Sequence, residues 1–202
     1  MKTAFTSAAI LALTAVSAHA AGYATGDTVA NMAVTDSNGV VHNLDDFKGK
    51  TVVLEWTNHG CPYVKKHYST GNMQTLQADA SDNDIVWLSV ISSAPGKQGH
   101  VSGAEANELT ESRKASPTAV VLDESGTAGR TFAAKTTPHM YIIDAEQTLV
   151  YQGAIDDNSS SNPATVEGAT NYVTQALSEM SQGVAVSEDT TQPYGCSVKY
   201  DG

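Results

Sequence analysis

Cysteine is scarce in this chain. Its 202 residues include only Cys61 and Cys196, which excludes the disulfide frameworks that hold small secreted domains together. The sequence also lacks a Cys-x-x-Cys pair, because Val64 stands three residues after Cys61. In an oxidising compartment, two such cysteines form either one structural bridge or one redox couple.

Positive charge is sparse as well. The chain has 11 Lys and Arg residues against 22 Asp and Glu residues, which gives a formal net charge of -11 at pH 7. Nucleic acids and anionic membrane surfaces repel a protein with this balance. We therefore expect no nucleic-acid partner and no membrane partner, and we interpret the acidity as a contribution to solubility.

Long apolar runs are missing too, and the one near the N-terminus is short. Met1-Lys2 is basic, and residues 8–16 are small or aliphatic. Ala18-His19-Ala20 then has small residues at the two positions that signal peptidase recognises before its cleavage site. A membrane-spanning helix needs roughly 20 apolar residues, more than this run supplies. The sequence predicts a signal peptide over residues 1–20 and export across the inner membrane to the periplasm.

The rest of the chain is long enough for one compact domain, which we place at residues 21–183, followed by a tail at 184–202 that carries Cys196. Apolar β-branched runs alternate with stretches of helical composition, which is typical of a mainly parallel sheet with right-handed crossovers. The predicted elements are a hairpin of 32–34 and 40–41 around an Asn-Gly turn, strands at 51–56, 84–91, 118–122, 139–144 and 149–155, and helices at 62–80, 103–115, 127–135 and one ending near Gly183. For the tail, two alternatives stay open: it is loosely held, or it is docked through the patch at 194–196.

Cys61 stands where a buried strand is followed by a helix that begins at Pro62. Unpaired N–H groups and the positive end of the helix dipole stabilise an anion at such a position, and they lower the pKa of a thiol from about 8.5. Lys65 and Lys66, one helical turn further on, would add positive charge. The alternatives are an inert buried cysteine and one half of a structural bridge.

Thr137-Pro138 is the second local signal. It separates the helix predicted at 127–135 from the strand that starts at His139. A tight turn of this kind is where a cis X-Pro bond persists, although a trans proline at the start of a strand fits the same residues.

These two segments resemble a known family. Residues 55–68, Glu-Trp-Thr-Asn-His-Gly-Cys-Pro-Tyr-Val-Lys-Lys-His-Tyr, resemble the active-site segment of thioredoxin-like proteins of the redoxin group, which includes the peroxiredoxins. Thr137-Pro138 with the strand and hairpin up to Gly153 resembles the cis-proline loop of that superfamily. The resemblance covers about residues 27–183.

The resemblance implies a thioredoxin-like α/β fold, with a central mixed sheet flanked by helices and an N-terminal β-hairpin extension. It also implies that Cys61 is the attacking cysteine and that Pro138, with Thr137, shapes its pocket. The residues expected to activate Cys61 or to line this pocket are Trp56, Asn58, His59, Pro62, Lys65 and His139; Trp56 is also expected in the core.

Two reactions remain open for Cys61. Peroxiredoxins usually present Pro-x-x-x-Thr-x-x-Cys, whereas this chain has Leu54 and Asn58 at the first two of those positions. The chemistry is therefore either thiol-disulfide exchange or peroxide reduction. Attack by Cys196 on an oxidised Cys61 would complete a cycle from thiolate to disulfide; a permanent Cys61–Cys196 bridge and an unpaired Cys196 are the alternatives.

Two hypotheses of other classes stand beside the oxidoreductase. One thiolate with two imidazoles is a plausible copper set, so Cys61 with His59, His67 and His139 suggests a copper-binding or copper-delivery protein of the same fold. The other hypothesis is a redox-inert binding module stapled by a Cys61–Cys196 disulfide.

The leading prediction is an exported thiol oxidoreductase in which Cys61 is the nucleophile and Cys196 the candidate resolving thiol. Its partners would be a disulfide-bearing protein or a peroxide as substrate and a protein as electron donor. No cofactor is expected, since sulfur carries the electrons, and the oligomeric state is left open.

Overall fold

The computed structural model describes residues 22–201, so the predicted signal peptide at 1–20 lies outside the described residues. The N-terminal hairpin is confirmed. Its strands β1 (Ala33–Thr35) and β2 (Val41–Asn43) pair in antiparallel fashion, with Val34 opposite His42.

A mixed five-stranded sheet forms the centre of the domain. The remaining strands are β3 (Val52–Trp56), β4 (Val86–Ile91), β5 (Ala119–Leu122), β6 (Thr136–Thr137), β7 (His139–Ile143), β8 (Leu149–Gly153) and β9 (Cys196–Ser197). The sheet order is β5-β4-β3-β7-β8; β3, β4 and β5 are parallel, and β7 is antiparallel to both β3 and β8. The predicted α/β class with a central mixed sheet is therefore confirmed.

The helices depart from the prediction at one point. They are α1 (Pro62–Ser69), α2 (Asn72–Asp82), α3 (Gly103–Ser112), α4 (Thr127–Thr131) and α5 (Tyr172–Ser181). The single helix predicted at 62–80 is wrong, because the chain leaves the helical conformation at Gly71, with φ +77°, and a second helix, α2, starts after it. Glycine adopts this left-handed conformation without the steric cost that a Cβ brings. None of the helices in the described part of the chain is both long and apolar enough to cross a membrane.

Two apolar clusters cover the two faces of the sheet. On one face, Trp56 packs against Phe132 and Tyr141, with ring centroids 5.4 and 5.0 Å away. On the other face, Val53 and Trp87 lie among the apolar residues of α2 and α5. Every residue of β3 is buried, so its C-terminal end, which leads to Cys61, is held rigidly.

The tail after α5 is docked on the domain, which decides between the two alternatives left by the sequence. Thr191 N–H donates to the carbonyl of Gln152 at 3.0 Å, and Val198 N–H donates to the carbonyl of Lys135 at 3.0 Å. Between these contacts β9 pairs with β6, with Cys196 opposite Thr137. The tail thereby returns Cys196 to the cis-proline loop.

Candidate active site

Cys61 is the N-cap residue of α1, and Pro62 is the first residue of that helix. The turn from β3 to α1 is closed by a bond of 3.0 Å from Cys61 N–H to the carbonyl of Asn58. The backbone of Val64, in the first turn of α1, is one of the groups that lower the pKa of Cys61. The thiol thus lies at the start of a helix, where free amides can hold an anion.

Asn58 and Gly60 shape this turn. The Asn58 side chain is 1% exposed and accepts a bond of 2.9 Å from Gly60 N–H. Its amide group donates to the carbonyl and the side chain of Gln98, at 3.1 and 2.9 Å. A Cβ on Gly60 would collide with the Gln98 side chain. The predicted pocket residue Asn58 therefore holds the turn together and ties it to the loop at 92–101.

The peptide bond between Thr137 and Pro138 is cis, the isomer that the turn suggested. The Cys61 Sγ lies 3.0 Å from the carbonyl oxygen of Thr137 and 2.8 Å from the Sγ of Cys196. Both cysteines are free thiols. Thus Cys61, Cys196 and the cis-proline loop converge at one place, although 135 positions separate the two cysteines.

The two thiols differ in acidity. Burial opposes ionisation of Cys61, but the polar surroundings supplied by Cys196, by the backbone of Val64 and by Thr137 outweigh it and lower the pKa of Cys61. Burial and the neighbouring Cys61 sulfur raise the pKa of Cys196. The Cys61 thiol donates to the carbonyl of Thr137 and to Cys196 Sγ, and Cys61 is the more acidic thiol of the pair.

Trp56 and His139 lie opposite each other on β3 and β7. The Trp56 ring is part of the core, and its Nε1 donates to Ser92 Oγ at 3.0 Å. The Nδ1 of His139 accepts from Lys135 N–H at 3.3 Å, and burial lowers the pKa of His139 to about 3. His139 is thus a neutral ring that supports the loop before Pro138.

His59 and Lys65 do not contact the sulfur in the described structure. His59 lines a cavity of about 30 Å³ with Thr57 and Arg113, and burial, followed by the charges of Arg113 and Lys65, lowers its pKa. Lys65 is exposed. Hydrogen bonds rather than the charge of Lys65 account for the lowered pKa of Cys61.

The copper set suggested by the sequence does not assemble. Within residues 22–201, no group of three or more His, Cys, Asp or Glu side chains is placed to hold a metal ion. The two ring nitrogens of His67 lie 3.1 Å from the Tyr194 hydroxyl and 2.9 Å from the Asn72 side chain. His67 therefore belongs to a hydrogen-bond network on the side of α1.

One buried carboxyl group near the site escaped the sequence reasoning. Glu55 is completely buried in β3 and accepts from Tyr68 OH at 2.9 Å, Ser89 Oγ at 2.8 Å and Trp87 Nε1 at 3.0 Å. Burial raises its pKa despite these donors. A single acidic residue inside the apolar run Val-Val-Leu-Glu-Trp was the available signal, since a charge in a buried strand needs partners.

A second buried group also escaped it, because its members are far apart in the sequence. Lys66, rather than Lys65, is fully buried, and its Nζ lies 3.1 Å from Asp156 Oδ2. Tyr194 joins this pair. No local pattern in the sequence connects residues of α1, the loop after β8 and the tail.

A larger cavity of about 1000 Å³ lies elsewhere, between α2, α5 and residues 183–189. Its walls include Leu76, Leu177, Met180 and Val186, and neither cysteine lines it. Cys61 is thus covered by the tail rather than placed in an open pocket.

Comparison with known proteins places the chain in a family. The profile of the Redoxin family matches residues 24–171, and no curated protein matches the sequence. An uncharacterised conserved protein from Geobacillus kaustophilus has a similar structure, with 24% identity, a TM-score of 0.77, and coverage of 90% of this chain and 94% of that one. A hypothetical protein from Sinorhizobium meliloti 1021 is similar with 18% identity, a TM-score of 0.76, and coverage of 90% and 97%.

The thioredoxin domain of a thiol-disulfide oxidoreductase from Bacteroides vulgatus is also similar, with 21% identity, a TM-score of 0.51, and coverage of 72% of this chain and 97% of that domain. At these identities the solved structures show a shared fold. The family profile includes both Cys61 and Pro138 and supports a redox role. The chain therefore belongs to the Redoxin family and has the thioredoxin-like fold of that group.

Proposed function

We propose that the protein is an exported thiol oxidoreductase in which Cys61 is the nucleophile and Cys196 is the resolving thiol. The observation that carries this proposal is the contact of 2.8 Å between the two sulfur atoms. Their pKa shifts run in opposite directions, so one sulfur is prepared to attack and the other to donate a proton. Export follows from the predicted signal peptide, with the periplasm as the proposed location.

The reaction we propose is thiol-disulfide exchange. The Cys61 thiolate attacks a substrate disulfide, one sulfur of which forms a mixed disulfide with Cys61 while the other leaves as a thiolate. Cys196 then loses its proton and attacks the Cys61 sulfur, which releases the second substrate sulfur. The substrate gains two electrons and two protons, and the protein is left with a Cys61–Cys196 disulfide. A protein dithiol would reduce it again, and no cofactor is required.

The surroundings of Cys61 favour a disulfide over a peroxide as the oxidising substrate. Peroxide reduction benefits from charged donors that stabilise the departing oxygen. The side chain of Arg113 lies over the Tyr68 ring at 4.9 Å, and that of Arg130 lies over the Tyr200 ring at 4.8 Å. The two arginines are thus engaged with tyrosine rings.

The test is oxidation of the reduced protein by one equivalent of oxidised glutathione or of hydrogen peroxide, followed by mass spectrometry. With glutathione disulfide we expect the loss of two hydrogens and a Cys61–Cys196 peptide. The variant Cys196→Ser should stop as a mixed disulfide on Cys61, and Cys61→Ser should stay unmodified at the same dose.

Three results would count against the proposal. An unmodified wild-type protein would exclude the redox couple. Rapid reaction with peroxide alone would reassign the chain to peroxide reduction. A Cys61–Cys196 bridge that resists mild reductant would favour the structural disulfide of a redox-inert module.

A further inference from the structure

A buried ion pair lies beside the site without a part in the proposed reaction. Lys66 is 0% exposed and Asp156 is 3% exposed, with 3.1 Å between Nζ and Oδ2. The Lys66 Nζ also donates to the carbonyl of Asn158 at 2.8 Å. Removing two charges from water costs free energy, and a hydrophobic pair would often be equally stable at such a place. The pair therefore calls for a role beyond stability.

Tyr194 completes this pair. Its hydroxyl donates to Asp156 Oδ1 and accepts from Lys66 Nζ at 3.4 Å. Burial, followed by the bond to Asp156, raises the pKa of Tyr194, which keeps the phenol protonated. The hydroxyl proton thus stays on Tyr194 and forms the hydrogen bond to the Asp156 carboxylate.

His67 supplies the remaining partner. Asn72 Nδ2 lies 2.9 Å from His67 Nδ1, so Nδ1 is the acceptor and the ring proton resides on Nε2. That Nε2 lies 3.1 Å from the Tyr194 oxygen and donates to it. Burial lowers the pKa of His67 to about 4, which is consistent with a neutral ring. We call Tyr194, Lys66, His67 and Asp156 the Tyr194 network; all its donors and acceptors are matched.

The network is fixed on the helix that Cys61 starts, and Tyr194 precedes Cys196 by two residues. On the other side of Cys196, the tail is held by Val198 N–H and by Tyr200 OH, which donates to the carbonyl of Ala134 at 2.8 Å. On the N-terminal side of β9, Tyr194 is the anchor nearer to Cys196, and Thr191, bonded to Gln152, is the more distant one. Between these anchors, Cys196 contacts Cys61, which is 0% exposed.

We propose that Tyr194 is a positioning residue: through its hydroxyl, the buried Lys66–Asp156 pair holds Cys196 against Cys61 and limits how often the tail uncovers the Cys61 sulfur. This inference rests on the proposed function, because it assigns the tail its place in that redox couple. A reagent or a substrate disulfide then reaches Cys61 only when the tail lifts from α1 and β6.

The experiment measures access to Cys61 in the reduced protein. Iodoacetamide labelling of each cysteine is followed by mass spectrometry in wild type, in Tyr194→Phe and in Tyr63→Phe. The Tyr63 ring lies 5.8 Å from the Tyr194 ring, centroid to centroid, outside the Tyr194 network, which makes it a matched control. Tyr194→Phe keeps the ring packing and removes the hydroxyl alone.

We expect Cys61 to be labelled at least about tenfold faster in Tyr194→Phe, because the hydroxyl makes three hydrogen bonds and the loss of a single one to a charged group already produces that factor. In Tyr63→Phe we expect labelling at the wild-type rate. Deuterium exchange in the same samples should increase in residues 194–198 and stay unchanged in β3 and β7. Equal labelling of Cys61 in all three proteins would overturn the inference, and so would faster exchange throughout the sheet, which would assign Tyr194 to overall stability. These outcomes are separate from the proposed function, which fails if wild type forms no Cys61–Cys196 disulfide on oxidation.

Discussion

Cys61 and Cys196 carry the same functional group at neighbouring positions in space, yet their surroundings treat them differently. Cys61 caps a helix of eight residues, and polar groups of that helix backbone and of the tail lower its pKa. Cys196 lies on a strand of two residues, where its nearest electrostatic neighbours are the Cys61 sulfur and, with the opposite effect, Lys199. The first site is built by local chain geometry, and the second by the docking of a tail.

The difference shows that burial alone does not decide the acidity of a thiol. Burial, which is complete at Cys61 and partial at Cys196, disfavours a charge on either sulfur. At Cys61, the polar groups around the sulfur outweigh burial and lower the pKa. At Cys196, the neighbouring Cys61 sulfur adds to the effect of burial and raises the pKa further. The contrast between the two thiols is therefore a property of the pair, and each of the following variants removes one of its causes.

The largest expected effect concerns the sulfur at which an external thiol attacks the oxidised protein. The proposed reaction forms the mixed disulfide on Cys61, so its reverse is attack of an external thiol on the Cys61 sulfur with Cys196 as the leaving group. We expect brief exposure of the oxidised protein to cysteamine, followed by acid quenching and alkylation, to leave cysteamine on Cys61 and the alkyl group on Cys196. Cysteamine found mainly on Cys196 would contradict the assignment of Cys61 as the sulfur that carries the mixed disulfide.

The next effect concerns the backbone that brings Cys196 to its partner. Gly195 has φ +134°, and a Cβ there would collide with the carbonyl of Thr137. Gly195→Ala should therefore separate β9 from β6 and slow the closure of the Cys61–Cys196 disulfide by about tenfold, as expected for strain of 1–2 kcal/mol. The rate is measured by quenched mass spectrometry after addition of oxidised glutathione.

Gly39→Ala is the control for this variant. Gly39 also has a positive φ, +80°, but its Cβ would meet open space. The Gly39→Ala variant should form the Cys61–Cys196 disulfide at the wild-type rate. An equal slowing in both variants would show that backbone strain in general, rather than the contact with Thr137, is responsible.

A smaller effect concerns acidity. Cys196→Ser removes the thiol that contributes most to lowering the pKa of Cys61, so that pKa should rise toward the ordinary value of about 8.5. In Cys61→Ser the pKa of Cys196 should fall, because the Cys61 sulfur is one cause of its increase. Thiolate absorbance at 240 nm against pH measures both. Unchanged values in the two variants would show that the thiols titrate independently.

The local half of this site could be predicted from the sequence, and the distant half could not. A buried strand followed by Cys61-Pro62 predicts the start of a helix within a few residues, and Thr137-Pro138 predicts a tight turn at that position. The position of Cys196 depends on contacts of Tyr194 with α1, more than 120 positions away, as the separation of 128 between Lys66 and Tyr194 shows. No local periodicity encodes such a contact.

The two adjacent lysines illustrate the same limit. Lys65 and Lys66 are identical side chains at adjacent positions. The face of α1 on which each one lies, and the position of Asp156, 90 residues after Lys66, decide which one is buried. The sequence does not reveal the break at Gly71 for another reason: apolar residues continue at helical spacing beyond it, and periodicity alone does not show that the helix is interrupted.

The smallest expected effect links acidity to stability. A thiol whose pKa is lowered by folding stabilises the folded state fully above its unfolded pKa of about 8.5, and this contribution is lost as the pH falls through the folded pKa. The difference in free energy of unfolding between reduced wild type and Cys61→Ser should thus grow as the pH rises from 6 to 8.5, by about 1.4 kcal/mol for each unit by which the pKa is lowered. Urea unfolding under a phosphine reductant measures it. In the Cys196→Ser background the same difference should depend less on pH, because one cause of the lowered pKa of Cys61 is gone; a difference independent of pH in both backgrounds would mean that folding leaves the acidity of Cys61 unchanged.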